Sequence, residues 1–126
     1  MYIIYNFLVL CVCCLFVLPY FLYRCICEAG FTTRMRQSLG GLRDEEIASV
    51  AQKDCIWIHG ASVGEIVATS PLVKEIRKAY PDSPILVSAV TVGGYNMAKQ
   101  IIQEADAIIY FPLDMPFVSE SFVKRI

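Results

Sequence analysis

Charge is missing from the first 23 residues, histidine occurs once in 126, and neither sign of charge is in excess, with 11 Lys and Arg against 12 Asp and Glu. Each shortage excludes something. A net charge of −1 leaves no broad basic surface for nucleic acid. With His59 the one histidine, any serine–histidine pairing within these residues has to use it. Neither G-x-x-x-x-G-K-[ST] nor G-x-G-x-x-G occurs, so the nucleotide-binding fingerprints fail. Six cysteines are present, but Cys11, Cys13, Cys14, Cys25, Cys27 and Cys55 form no paired metal-ligand pattern. Cys11 and Cys14 match C-x-x-C inside an apolar run, where they read as lipid-facing filler rather than a redox pair. This usage fits a reducing, cytosolic home for the soluble part. The length allows one small domain at most.

What stands where charge is missing is a continuous apolar segment, Met1 to Tyr23, with thirteen Ile, Leu, Val or Phe. As a helix it spans roughly 33 Å, enough to cross a bilayer. At about −0.4 kcal/mol each, those residues favour insertion by roughly 5 kcal/mol. Tyr2, Tyr5, Tyr20 and Tyr23 lie towards its two ends, as an aromatic belt does. Asn6 and Pro19 are near the ends, where their cost is small. A cleaved signal peptide is the alternative, but the basic n-region is missing and the apolar core is too long. The large Leu10 argues against a lipoprotein site at Cys11. Arg24, Arg34, Arg36 and Arg43 all follow the segment and none precedes it. That asymmetry predicts a retained membrane anchor with the rest of the chain on the cytoplasmic side.

Residues 24–54 read as a juxtamembrane basic connector interrupted by Gly30, Gly40 and Gly41, with a short helix over Asp44 to Gln52. Its four arginines form either a plain positive-inside flank or a contact for anionic lipid head groups. From Cys55 the periodicity alternates. Strands are predicted at Cys55–His59, Ile85–Val90 and Ala107–Phe111, each a short apolar run. Helices are predicted at Glu65–Tyr80 and Tyr95–Glu104, with a last helical segment at Phe117–Ile126. Pro71 inside the first of these predicts a bend. Pro81–Pro84 and Pro112–Pro116 read as turns, and Thr91-Val92-Gly93-Gly94 as a small-residue loop. This βαβαβ order specifies an α/β fold with a Rossmann-like parallel sheet. Three strands leave a sheet edge and much of both faces uncovered, so the domain reads as cut short.

The stretch Ile58-His59-Gly60-Ala61-Ser62-Val63-Gly64-Glu65 runs from a strand end through a tight turn into a helix, where open α/β sheets place ligands. It supports several readings. One is the general offer of a helix N-terminus to an anion. A second is a nucleophile elbow, since Gly60-Ala61-Ser62-Val63-Gly64 matches G-x-S-x-G; the triad on that fold, however, places its histidine after the serine. A third is a capping box in which Ser62 and Glu65 each satisfy a helix N–H.

The same stretch resembles the N-terminal signature of the 3-deoxy-D-manno-octulosonic acid (Kdo) transferases, bacterial membrane-associated glycosyltransferases of the GT-B class. Pro71-Leu72-Val73, Tyr80-Pro81, Thr91-Val92-Gly93-Gly94 and Tyr110-Phe111-Pro112-Leu113-Asp114-Met115-Pro116 resemble further family segments in the same order. Gly60 departs from the pattern, where the family usually carries a small residue with a methyl group.

The resemblance implies transfer of Kdo from CMP-Kdo to a lipid A precursor, with no cofactor and no metal. It implies that Glu65 is the general base, taking the proton of the acceptor hydroxyl as that oxygen attacks. A helix N-terminus favours a negative charge there. Ser62, Val63 and Gly64 would shape the acceptor pocket, and Arg34 and Arg36 would face anionic acceptor groups. His59 is most simply a strand-end residue and Asp114 a turn or cap residue. The family continues into a second Rossmann-like domain that binds most of the donor. These 126 residues are therefore expected to comprise an anchor (1–23), the connector (24–54) and the first half of the N-terminal GT-B domain (55–126). Such a piece is expected to be inactive alone. A membrane-anchored α/β binding module without chemistry is the alternative.

Overall fold

Within the apolar run, which has no glycine, Tyr2–Val12 (α1) and Leu18–Cys27 (α2) are helical, joined by a π-helical turn over Cys13–Val17. The computed structural model describes every residue except Met1, Glu28, Ala29 and Asp114, and only the backbone of Arg24, Cys25 and Pro116. The role expected of Asp114 thus lies outside the described residues. The chain divides into two units, Met1–Thr32 and Thr33–Ile126.

In the first unit, the 22 residues Tyr2–Tyr23 are long and apolar enough to cross a membrane, and none of this stretch is buried. The Leu18 N–H bonds to the Cys13 carbonyl, one residue further back than in an α-helix. This widening falls immediately before Pro19, which has no N–H to give and whose ring displaces the carbonyl four residues earlier. Helix continues past Tyr23 to Cys27. The rings of Phe21 and Phe31 meet edge to face at 5.5 Å. Among the described residues Cys11, Cys13, Cys14, Cys27 and Cys55 are free thiols.

The second unit is built on three parallel strands in the order β1 (Ile56–Gly60), β2 (Ile85–Ala89), β3 (Ala107–Tyr110). Ile58 lies opposite Val87, and His59 opposite Ser88. Side chains alternate between faces along each strand, and each face carries a packed apolar cluster, where much of both faces was expected to be bare. On one face Ile58, Val87 and Ala89 pack against Ile66 and Val73 of α5 (Val63–Ala79) and Ala98 of α6 (Val92–Ile101). On the other, Leu86, Ala107 and Ile109 pack against Leu42, Val50, Ile47 of α4 (Asp44–Ile47) and Phe122 of α7 (Pro116–Val123). β2, in the middle, is buried at every position, Ser88 being the one polar residue in an otherwise apolar strand.

Four expectations are corrected. Helix α6 begins at Val92, not Tyr95, because Thr91 is its N-cap and accepts the Gly94 N–H at 3.0 Å. Gly93 and Gly94 are first-turn residues rather than loop. Helix α5 begins at Val63, two residues early, and runs through Pro71 without ending. Pro71 deprives the Val67 carbonyl of a donor on the exposed side of the helix, where water can serve. Helix α4 ends at Ile47 and gives way to turns, with Gln52 at φ 58°. Segment 33–54, read as a connector, contributes Leu42, Ile47 and Val50 to the core.

Candidate functional site

The turn after β1 is shaped by what its first residue faces. A Cβ built on Gly60 would stand 2.9 Å from the Ile66 Cδ1 at the start of α5. Glycine therefore lets β1 and α5 approach closely. The obstructing atom is the far end of a flexible side chain, so Gly60→Ala is expected to shift unfolding by no more than about 1 kcal/mol, overpacking being offset by unfolded-state entropy. Urea unfolding followed by Trp57 fluorescence checks this.

Ser62 is the N-cap of α5, with extended backbone (φ −126°, ψ 170°), and its carbonyl accepts the Ile66 N–H at 3.0 Å. The reciprocal capping box is not formed. No side chain caps the first-turn amides. Instead the Ser62 hydroxyl faces the Glu65 Oε1 at 3.5 Å, while Glu65 Oε2 accepts the Ala61 N–H at 2.7 Å. Glu65 is thus held by one oxygen, exposed, and presents the other with only a long contact to Ser62.

A second helix N-terminus lies alongside. The Ala61 carbonyl accepts both the Thr91 N–H at 3.2 Å and the Thr91 hydroxyl at 3.3 Å. A Cβ on Gly93 would meet Val63 Cγ2 at 3.2 Å, and one on Gly94 would stand 3.4 Å from the Ser62 carbonyl carbon. The two glycines bring the start of α6 against the Ser62–Val63 corner. Gly64 differs from all of these. A Cβ there meets nothing within 4 Å.

The arginines stand in different surroundings. Arg36, on α3 (Phe31–Ser38), forms an ion pair with Glu46 and donates to the Gly41 carbonyl. Glu46 also accepts the Arg43 N–H at 2.8 Å. Burial alone would raise the Glu46 pKa. Hydrogen bonds from Arg36, the Arg43 amide and Gln37, with the Arg36 charge, outweigh it and hold the group at about 2. Arg34 is half-buried on the same helix and not free. Next to them, the buried Gln37 accepts the Tyr110 N–H at 2.7 Å, and Ser38 donates to the Phe111 carbonyl at 3.0 Å. These bonds fasten the end of α3 to the C-terminal end of β3, the same strand edge that carries the Ser62 turn on β1.

Among these residues the elbow reading has no base at Ser62. His59 Nδ1 is 3.0 Å from Ser88 Oγ, and the ring packs on Phe111 at 4.2 Å between centroids. Ser62 has Glu65, not an imidazole, at its hydroxyl. Sequence reasoning missed two residues here. Thr91 was detectable as an N-cap threonine ahead of an apolar-periodic run. Ser88 carried no signal, since its partners come from another strand. Among the described residues no group of three His, Cys, Asp or Glu is arranged to hold a metal ion.

Residues 33–126 match the family model described as 3-Deoxy-D-manno-octulosonic-acid transferase (kdotransferase). The chain is 35% identical over 77 residues to the 3-deoxy-D-manno-octulosonic acid transferase of Haemophilus influenzae, covering 61% of this chain and 18% of that one. With the enzyme of the same name from Chlamydophila psittaci it shares 29% identity over 113 residues, 86% of this chain and 25% of that one. A bifunctional glycosyltransferase/methyltransferase of Fusobacterium nucleatum is 36% identical over 83 residues, 64% of this chain and 12% of that one. The chain therefore spans a quarter or less of the length of these relatives. No solved structure matches.

Proposed function

The chain belongs to the 3-deoxy-D-manno-octulosonic-acid (Kdo) transferase family, and on that premise we propose that it supplies the acceptor side of a GT-B glycosyltransferase that moves Kdo from CMP-Kdo to a lipid A precursor in lipopolysaccharide biosynthesis. Residues 1–23 anchor it in the inner membrane with the rest of the chain on the cytoplasmic side, and residues 33–126 form the acceptor-side part of the N-terminal domain. The excess of arginine after the apolar helix supports that orientation. The donor contacts belong mostly to a further domain, as in the family the chain resembles.

One observation carries the reading. Gly64 sits in the first turn of α5 with open space where a methyl would be. Glycine there costs helix stability and serves no packing need. It makes sense where a ligand must come close to the backbone beside Glu65. In the reaction, Glu65 Oε1 takes the proton of the acceptor hydroxyl as that oxygen bonds to the anomeric carbon of Kdo. The bond from that carbon to the phosphate oxygen breaks, and CMP leaves with the electron pair. A sugar hydroxyl is a weak nucleophile unless its proton is removed as the bond forms. The Ala61 amide on Oε2 fixes the carboxylate's direction, so the free oxygen need not search for it.

The test is a graft of residues 33–126 into the Haemophilus influenzae relative in place of its own matching segment. Transfer of Kdo to lipid A precursor by the purified graft is expected; a folded graft without turnover rejects the proposal in favour of a binding module. The isolated 126-residue chain is expected to transfer none. Within the graft, Gly64→Ala is expected to stabilise by about 0.5 kcal/mol and yet lower transfer, because the added methyl occupies the approach to Glu65. Paired melting and rate measurements would show the two changes moving in opposite directions.

A further inference from the structure

We infer that His59 is a hydrogen-bond donor to an oxyanion of the sugar ligand, a carboxylate or a phosphate, and that Ser88 is the residue that sets it in the donating form. The inference rests on the reading above for the identity of the ligand but not for the geometry. Ser88 is wholly buried on the central strand, opposite His59 in register. Its hydroxyl has two partners, the Trp57 Nε1 at 2.8 Å and the His59 Nδ1 at 3.0 Å. An indole N–H can only donate, so Ser88 Oγ accepts from Trp57. The hydroxyl proton then needs an acceptor of its own, because a buried donor left unpaired costs about 1–3 kcal/mol. Among the described residues, His59 Nδ1 is the partner that remains. Nδ1 therefore accepts and carries no proton, and the neutral ring carries its proton on Nε2. The tautomer follows from the neighbour on the other nitrogen, as it commonly does for imidazoles.

The ring is held as well as polarised. It packs on Phe111 at 4.2 Å, tilted by 43°, and Phe111 also contacts Trp57 at 5.9 Å. His59 is nevertheless exposed as a residue, and among the described residues its hydrogen bond is at Nδ1, which leaves Nε2–H for a ligand. It stands at the end of β1, immediately before Gly60 and on the strand edge that carries the Ser62 turn. Trp57 and Ser88 are positioning residues for it. A preset N–H donor at the end of the strand that leads into Glu65's turn suits an oxygen acceptor that brings negative charge, which both a Kdo carboxylate and an acceptor phosphate do.

The experiment uses the 126-residue chain in detergent micelles. One histidine and one tryptophan make the imidazole and indole signals of the 15N-labelled protein unambiguous. The long-range 1H–15N spectrum is expected to show a pyridine-type Nδ1 and a pyrrole-type Nε2. A pyrrole-type Nδ1 overturns the assignment. Ser88→Ala is expected to introduce the second tautomer and to speed exchange of the Trp57 indole proton; an unchanged imidazole pattern in that folded variant removes Ser88 from the role. Free Kdo and glucosamine 1-phosphate are then titrated separately. A saturable shift of Nε2 with Kdo assigns the carboxylate, and with the phosphosugar the phosphate. A shift with neither overturns the ligand half. His59→Phe keeps the ring contact with Phe111 and is expected to weaken binding of the effective probe about tenfold. None of these readouts depends on Kdo transfer, so a silent graft and a wrong tautomer are separate failures.

Discussion

Replacing Glu65 with Gln in the grafted enzyme is expected to lower kcat for Kdo transfer by about a thousandfold, within the range for loss of a positioned general base. Gln keeps the length of the side chain, and its amide oxygen can still accept the Ala61 N–H that Glu65 Oε2 now accepts at 2.7 Å. What it loses is the ability to take a proton at the other oxygen. The loss should therefore fall on kcat, with KM for the acceptor and the melting temperature little changed. Glu65→Asp provides the counterpart. It retains the carboxylate but withdraws it from the Ala61 amide by one methylene, so a partial loss is expected. Single-turnover rates with CMP-Kdo in excess would separate chemistry from product release. Retention of full transfer by Glu65→Gln would remove Glu65 as the base and leave it as a turn residue.

The second large effect concerns Arg36 and is one of stability. Arg36→Met is expected to cost about 2 kcal/mol, because it leaves Glu46 partly buried without its counter-ion. Both side chains are less than a third exposed, 29% and 23%. The Glu46 pKa falls on folding from an ordinary 4.5 to about 2, burial opposing and the hydrogen bonds and charge of Arg36, Arg43 and Gln37 prevailing. A carboxylate with a depressed folded pKa adds stability above its unfolded pKa and loses it as pH falls through the folded one. The window is therefore pH 4.5 down to about 2, and the size is roughly 3 kcal/mol at most. Glu46→Gln should flatten that part of the profile. Trp57, against Phe122 at 5.2 Å, reports the unfolding by fluorescence. An Arg36→Met midpoint equal to the parent's would show that the pair does not support the fold, and would return Arg36 to anion binding as its main employment.

That ion pair also shows where sequence reading stops. The three strands were legible because each is a short apolar run between turn residues, and Ile56–Gly60, Ile85–Ala89 and Ala107–Tyr110 lie within a residue or so of their expected places. The parallel order followed from the intervening helices. The resemblance puts Arg36 toward anionic acceptor groups, and nothing in the sequence pointed to Glu46 as its partner. Its partner is ten residues on, at no helical or strand spacing, so only the folded chain brings them together. Leu42, Ile47 and Val50 are likewise separated by irregular gaps and looked like a linker. Thr91-Val92-Gly93-Gly94 read as loop because two glycines disfavour helix. Their reason is the neighbouring Ser62–Val63 corner, which no local pattern contains. At the site itself, Ser62 and Glu65 were correctly paired with each other but not correctly bonded. The spacing shows that they are neighbours and leaves open which of them takes the amide.

The order of the sheet has a practical consequence. β1 is an outer strand, and alternate backbone groups along its far side have no ladder partner within the three-strand sheet. Such a strand is a template for another copy. Trp57 on it is 37% exposed. Preparations of the 126-residue chain should accordingly self-associate with rising concentration, strand against strand, even when micelles shield the apolar helix. Sedimentation over a dilution series would reveal this before any spectrum is interpreted.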